Sequence, residues 1–111
     1  MDTETLSKIM KALSNPNRLE LFLEIAKTQE RNFKTGRGCF ISDIARRLNV
    51  GAPTVSHHLK ELYNAGLITT ERQGKFLIAR VVKETVADVM KMLNLDFQSD
   101  AVVDNSHLRS E

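Results

Sequence analysis

The sequence predicts a mainly α fold with one small β-hairpin: five helices plus a wing, in the winged helix-turn-helix arrangement and dimeric. Three observations predict it. Two short amphipathic segments flank the tight turn Asn49-Val50-Gly51, as a helix-turn-helix requires. Two runs rich in β-branched and apolar residues follow at once, with the cationic, glycine-containing turn Arg72-Gln73-Gly74-Lys75 between them. Helical patterns precede and follow this unit, so a helix-turn-helix and its wing sit inside a helical frame.

Taken in order, the first helix is predicted over Thr3–Leu13, where Leu6, Ile9, Met10 and Leu13 keep the i, i+3, i+4, i+7 spacing of one apolar stripe. Asn15-Pro16 starts the second: Asn caps free N–H groups, and Pro fits a first turn whose N–H has no partner anyway. Leu19, Leu21, Phe22, Leu23, Ile25 and Ala26 make this helix apolar on several sides, so it should be the central, most buried one. From Lys27 to Gly38 there is almost no apolar content, and a helix end followed by a mobile loop is expected. Cys39, Phe40 and Ile41 read as an extended lead-in. Ser42 is the expected N-cap of a third helix over Asp43–Leu48, with Ile44, Ala45 and Leu48 facing inward. The fourth helix is predicted from Ala52 to about Ala65, with Gly66 supplying the left-handed residue that ends it. Strands are expected over Ile68–Glu71 and Phe76–Val82. A fifth helix over Lys83–Leu93 carries Val86, Val89, Met90 and Leu93 on one face. This organisation gives one winged helix-turn-helix domain for DNA binding and dimerisation over residues 1–95, and an acidic, disordered tail over 96–111.

The net charge is only +2, but it is unevenly spread. Residues 41–82 carry six basic and three acidic side chains, whereas residues 84–111 carry two basic and six acidic. A basic body with an acidic tail suits a polyanionic partner. No apolar run reaches membrane-spanning length and the N-terminus has no signal-peptide pattern, so a cytoplasmic protein with no membrane partner is expected. The single cysteine rules out an intrachain disulfide and a multi-cysteine zinc site within one subunit. No nucleophile–base pair, glycine-rich phosphate loop or paired carboxylate is found, so the chain is not read as an enzyme.

Winding the fourth helix at 100° per residue divides its labour. Val55, Leu59 and Leu62 fall on the core side, Pro53, His57, Lys60 and Asn64 opposite, and Thr54, Ser56 and Glu61 on the flanks. A small or polar outer face near the helix start suits entry into a major groove, where short side chains allow close approach to bases and phosphates. The candidate DNA-binding residues are therefore Ala52, Pro53, Thr54, Ser56, His57 and Lys60 on the helix. Arg72, Gln73 and Lys75 join them at the wing, which would lie on the backbone or minor groove. Arg46 and Arg47 are weaker candidates: one could touch a phosphate while the other simply solvates its helix. The expected partners are double-stranded DNA, in the form of an inverted-repeat operator, and a second copy of the chain.

The segments ALSNPNRLELFLEI, ISDIARRLNVGAPTVSHHLKELYNAGLI and TTERQGKFLIARV resemble the ArsR-type (arsenic-repressor, metalloregulator-related) family of transcription factors, over about Leu6 to Leu93. Val55-Ser56-His57-His58-Leu59-Lys60 with Ala65-Gly66-Leu67 carries most of the likeness. The resemblance implies a dimeric repressor whose first and last helices form the interface, and it assigns Leu6, Ile9, Met10, Val86, Val89, Met90 and Leu93 to that surface. Gly51 stands where the family often has a capping serine, and glycine is a tolerable cap.

The resemblance stops short of a metal site. Metal-sensing members carry a C-x-C-D pattern at the third helix, and matching through Asp43 puts Phe40 and Ser42 at the sulfur positions. The fifth helix has Glu84 and Asp88 but no histidine, and Asp104, His107 and Glu111 in the tail are loosely spaced. No metal and no cofactor is expected, and the inducer, small molecule or oxidant, is unknown. Two alternatives stay open. Cys39, after the cations Arg31, Lys34 and Arg37, could be a single redox- or electrophile-responsive thiol. The winged helix could also be a protein–protein interaction module, although such a surface would show aromatic or aliphatic anchors rather than polar groups.

Overall fold

The computed structural model describes residues 1–33 and 40–94, so Cys39 and the tail, with Asp104, His107 and Glu111, lie outside the described residues. The elements run α1 (Thr3–Leu13), α2 (Pro16–Phe33), α3 (Ile41–Leu48), α4 (Ala52–Asn64), β1 (Ile68–Gln73), β2 (Phe76–Val81) and α5 (Lys83–Leu93). No helix among the described residues is long and apolar enough to cross a membrane.

Helix α1 begins at Asp2, whose carboxylate accepts the Thr5 N–H at 2.8 Å. The same device starts α2: Asn15 Oδ1 accepts the N–H groups of Asn17 and Arg18, both at 3.0 Å. Arg18 then reaches back, its Nε donating to the Ala12 carbonyl at 2.6 Å, and so ties the end of α1 to the start of α2. Leu21, Phe22 and Ile25 are buried, and α2 packs against α1, α3, α4 and β2 as the central helix. Leu23, grouped with this buried set by the sequence, is instead 47% exposed.

Two expectations are corrected. Helix α2 does not end near Ala26 but continues to Phe33, so the first part of the expected loop is helical. Polar side chains carry its inner stripe there: Thr28 is buried, and Gln29 Oε1 accepts the Val81 N–H at 2.7 Å. Helix α3 starts at Ile41, with Phe40 and not Ser42 as its N-cap. Phe40 is extended and pairs with Ile78 as an isolated bridge, while its carbonyl accepts from Asp43 at 3.2 Å and Ile44 at 3.4 Å.

Two left-handed residues shape the joints around α4. Asn49 (φ 57°, ψ 47°) ends α3, and the following Val50 N–H bonds back to the Ala45 carbonyl at 3.1 Å, a Schellman-type closure. Gly66 (φ 76°) does the same after α4, where the Leu67 N–H reaches the Leu62 carbonyl at 3.0 Å. The strands pair antiparallel from Ile68↔Val81 to Gln73↔Phe76. β1 runs two residues further than expected, into the four-residue turn, leaving only Gly74 and Lys75 as the loop, while β2 ends at Val81, one residue short of the expected Val82. Gly74 takes φ 62°, the sign required at the first position of a type II′ hairpin.

The core joins Ile9, Ile25, Ile44, Leu62, Leu67, Ile68 and Ala79 from every element except α5, which buries no residue fully and rests Val86 and Val89 against the cluster. The Thr85 hydroxyl donates to the Gly66 carbonyl at 2.7 Å and anchors the first turn of α5.

Candidate nucleic-acid interface

Helix α4 is held from behind by buried Val55, His58, Leu59 and Leu62. Gly51, its N-cap, offers no side chain, and Pro53 sits in the first turn, where its missing N–H costs nothing. The first turn is consequently slim. Ala52, Pro53, Thr54, Ser56, His57, Lys60 and Asn64 are all exposed.

The wing stands beside this helix. Arg72, Gln73 and Lys75 are exposed at its tip. Phe76 is braced by Phe40, with ring centroids 4.9 Å apart and planes 29° from parallel, and Lys75 Nζ lies 5.7 Å from the Phe76 centroid. The hairpin is also tied across its strands by the Arg80–Glu71 ion pair. A hollow of about 320 Å³ is lined by Ala52 and Ser56 of α4, Lys75 and Phe76 of the wing, and Ser42 of α3. A second, of about 330 Å³, lies between Ser56, Lys60 and Tyr63 on α4 and Thr70 on β1. Helix and wing therefore line common grooves, with Ser56, Lys60 and Lys75 among the lining residues.

Tyr63 and Thr70 were not singled out from the sequence. Tyr63 follows Ser56 by seven residues and Lys60 by three, so helical spacing alone puts the three on one stripe. Thr70 had no such signal, because its place depends on hairpin register.

Of the two arginines on α3, Arg47 is engaged elsewhere: its Nη2 donates to Glu24 Oε1 at 3.2 Å and to Thr28 Oγ1 at 3.1 Å, joining α3 to α2. Among the described residues Arg46 pairs only with Asp43, at 3.3 Å, on the exposed side of the helix. His57 and His58 have ring centroids 6.0 Å apart, but one faces solvent and the other the interior. Burial first, then the charge of Arg18 and the neighbouring His57, lower the pKa of His58 below its ordinary value.

Phe40, aligned with a family sulfur position, is thus part of the aromatic brace under the wing. Among the described residues no three His, Cys, Asp or Glu side chains cluster in a way that would hold a metal ion. The residues assigned to a dimer surface divide into three groups. Met10, Met90 and Leu93 are exposed, Met90 at 67%, while Leu6, Val86 and Val89 are half-buried. Ile9 is corrected: at 1% exposure it belongs to the core of its own subunit and has no surface left for a partner. A cavity of about 520 Å³ shares no residue with the grooves between α4 and the wing and lies between α2, the end of β2 and α5, where Phe22, Leu23, Val81 and Val86 line it.

A family model described as a helix-turn-helix domain matches residues 13–71. The chain is 29% identical over 96 residues to the transcriptional repressor SdpR of Bacillus subtilis, covering 86% of this chain and 97% of that protein. It is 35% identical over 74 residues to the arsenical resistance operon repressor of Staphylococcus xylosus, covering 67% of this chain and 62% of the relative. Among solved structures, a homodimeric winged helix-turn-helix DNA-binding domain from Mycobacterium bovis, described as a possible ArsR-family regulator, superposes with a TM-score of 0.62 at 22% identity. That match covers 92% of this chain and 84% of the other. The fold, the matched helix-turn-helix and these relatives agree: the chain belongs to the ArsR-type family of winged helix-turn-helix transcriptional regulators.

Proposed function

We propose that the protein is a sequence-specific DNA-binding repressor that acts as a homodimer, with α4 in the major groove and the wing on the backbone or minor groove. The observation that supports this best is that α4 and the wing line common grooves. Ala52 and Ser56 of α4 share one groove with Lys75 of the wing, and Ser56 and Lys60 share the other with Thr70; Pro53, Thr54 and His57 on the helix and Arg72 and Gln73 at the wing tip are exposed. Such a division suits base reading by the helix and phosphate contact by the wing. The names of the repressor relatives and the dimeric Mycobacterium domain support the same reading. No catalytic role is proposed.

The dimer would be built from α1 and α5. Met10, Met90 and Leu93 offer exposed apolar surface next to half-buried Leu6, Val86 and Val89, and methionines adapt readily to a partner surface.

Fluorescence anisotropy with specific and random duplexes tests the assignment. Lys75→Ala and Arg72→Ala should weaken binding to every sequence and reduce the salt slope by about one unit per lost phosphate contact. Ser56→Ala and His57→Ala should instead narrow the gap between specific and random DNA. Identical behaviour of the two sets on both duplexes would refute the assigned roles.

A further inference from the structure

We propose that His58 is a proton-sensitive latch behind the recognition helix: neutral, it lets α4 seat for DNA, and protonated, it unseats the helix and releases the duplex. The proposal rests on the DNA-binding reading above and adds a regulatory input to it.

His58 is only 7% exposed, and among the described residues neither Nδ1 nor Nε2 has a hydrogen-bond partner. Buried polar atoms are normally satisfied, so an imidazole with two orphaned nitrogens needs an explanation. A neutral ring tolerates this place as a mostly apolar plug. A charged ring does not, because both nitrogens become donors and neither finds an acceptor.

The surrounding charges do not rescue it. On α2 the ring feels the charge of Arg18, whose Nε is tied to the Ala12 carbonyl at 2.6 Å. Glu20, also on α2, lines the neighbouring cavity of about 260 Å³. On α4, His57 adds a second unfavourable neighbour and Glu61 lies one turn further on. The part of α3 and its turn lining this cavity is uncharged: Ala45, Leu48, Asn49 and Val50. No carboxylate among the described residues lies within 4.0 Å of the His58 ring nitrogens.

Protonation therefore favours movement of the ring into the cavity, toward Glu20 and water. That cavity is bounded by the helix-turn-helix turn and by Thr54 and Val55 of α4, so the movement disturbs the seat of the helix that carries Ser56, His57 and Lys60. Burial and Arg18 hold the His58 pKa below the ordinary 6.5. The site is accordingly neutral at and above that pH, and the latch opens as the pH falls through the lowered value.

The test uses the full chain, with a selected duplex at constant ionic strength, between about pH 8 and about pH 5.5, the range a histidine can report. Wild type should lose affinity on acidification, by at most about tenfold per pH unit for one proton taken up. His58→Leu, and His58→Gln should the leucine variant fold poorly, should bind with no such loss. A flat wild-type profile, or the same slope in both His58 variants, would overturn the latch. A second arm needs no DNA: the imidazole resonances of His58 and the exchange protection of α4 amides are followed by NMR against pH. Titration below the ordinary value with loss of α4 protection supports the proposal, and titration at or above 6.5, or with α4 unchanged, overturns it. Failure to bind any duplex at pH 8 would refute the DNA reading, and the NMR arm would still decide the behaviour of His58.

Discussion

Gln29 Oε1 accepts the backbone N–H of Val81 at 2.7 Å, joining the polar half of α2 to the last residue of the wing's second strand, 52 positions later. This contact and the Phe40–Ile78 bridge both satisfy β2 outside its pairing with β1, and an unpaired strand edge is a liability. Together they fix the base of the wing relative to the helices.

Gln29→Ala should therefore destabilise the fold by about 1 kcal/mol, the range for removing the acceptor of a partly buried N–H. Gln29→Glu keeps an acceptor and should recover most of the loss. Urea denaturation of the three proteins checks the order.

Arg47 is engaged with Glu24 and Thr28, whereas Arg46, on the exposed side of α3, pairs among the described residues with Asp43 alone. Arg47→Ala should lower stability by roughly 0.5–1 kcal/mol, as expected for a partly exposed ion pair with an added hydrogen bond. It should leave the salt slope of DNA binding unchanged. A slope reduced as far as in Lys75→Ala would place Arg47 on phosphate instead.

Asn49 holds φ 57° in the turn between α3 and α4. Asn49→Ala should cost about 1 kcal/mol, since a Cβ without asparagine's local hydrogen bonding is penalised in that region, while Asn49→Gly should be close to neutral. Thermal unfolding of the pair separates backbone strain from loss of a side-chain contact.

Ile9 and Met90 should behave oppositely. Ile9→Ala opens a cavity in the subunit core and should cost about 2–5 kcal/mol. Met90→Glu, on a side chain 67% exposed, should leave the subunit folded and convert the proposed dimer to monomer in sedimentation equilibrium at micromolar concentration.

Most of this architecture was legible in the sequence because apolar spacing carried it. The stripes of α1 and α5 gave their limits, and the 100° projection of α4 separated buried Val55, Leu59 and Leu62 from exposed Pro53, His57 and Lys60. Legibility failed where polar groups did the packing. Thr28 and Gln29 continue the inner stripe of α2 beyond Ala26 by hydrogen bonding, which a hydrophobic pattern cannot register. The start of α3 was misplaced because Phe40 is held by a strand 38 positions away, so its capping role is set by tertiary structure. Ile9 and Met10 are adjacent on one apolar stripe, and only the packing of α1 against α2 and α4 decides which is core and which surface. Tyr63 was accessible to helical spacing, and Thr70 required the hairpin register.

The central claim, that two copies of this chain read DNA through α4 and the wing, is tested most directly by selecting duplexes from a random library with purified full-length protein and sequencing those retained. The account predicts enrichment of an inverted repeat whose half-sites are about one helical turn, roughly 34 Å, apart, to match a two-fold axis. Retention of duplexes with no shared sequence, at salt low enough for phosphate contacts to hold, would contradict it.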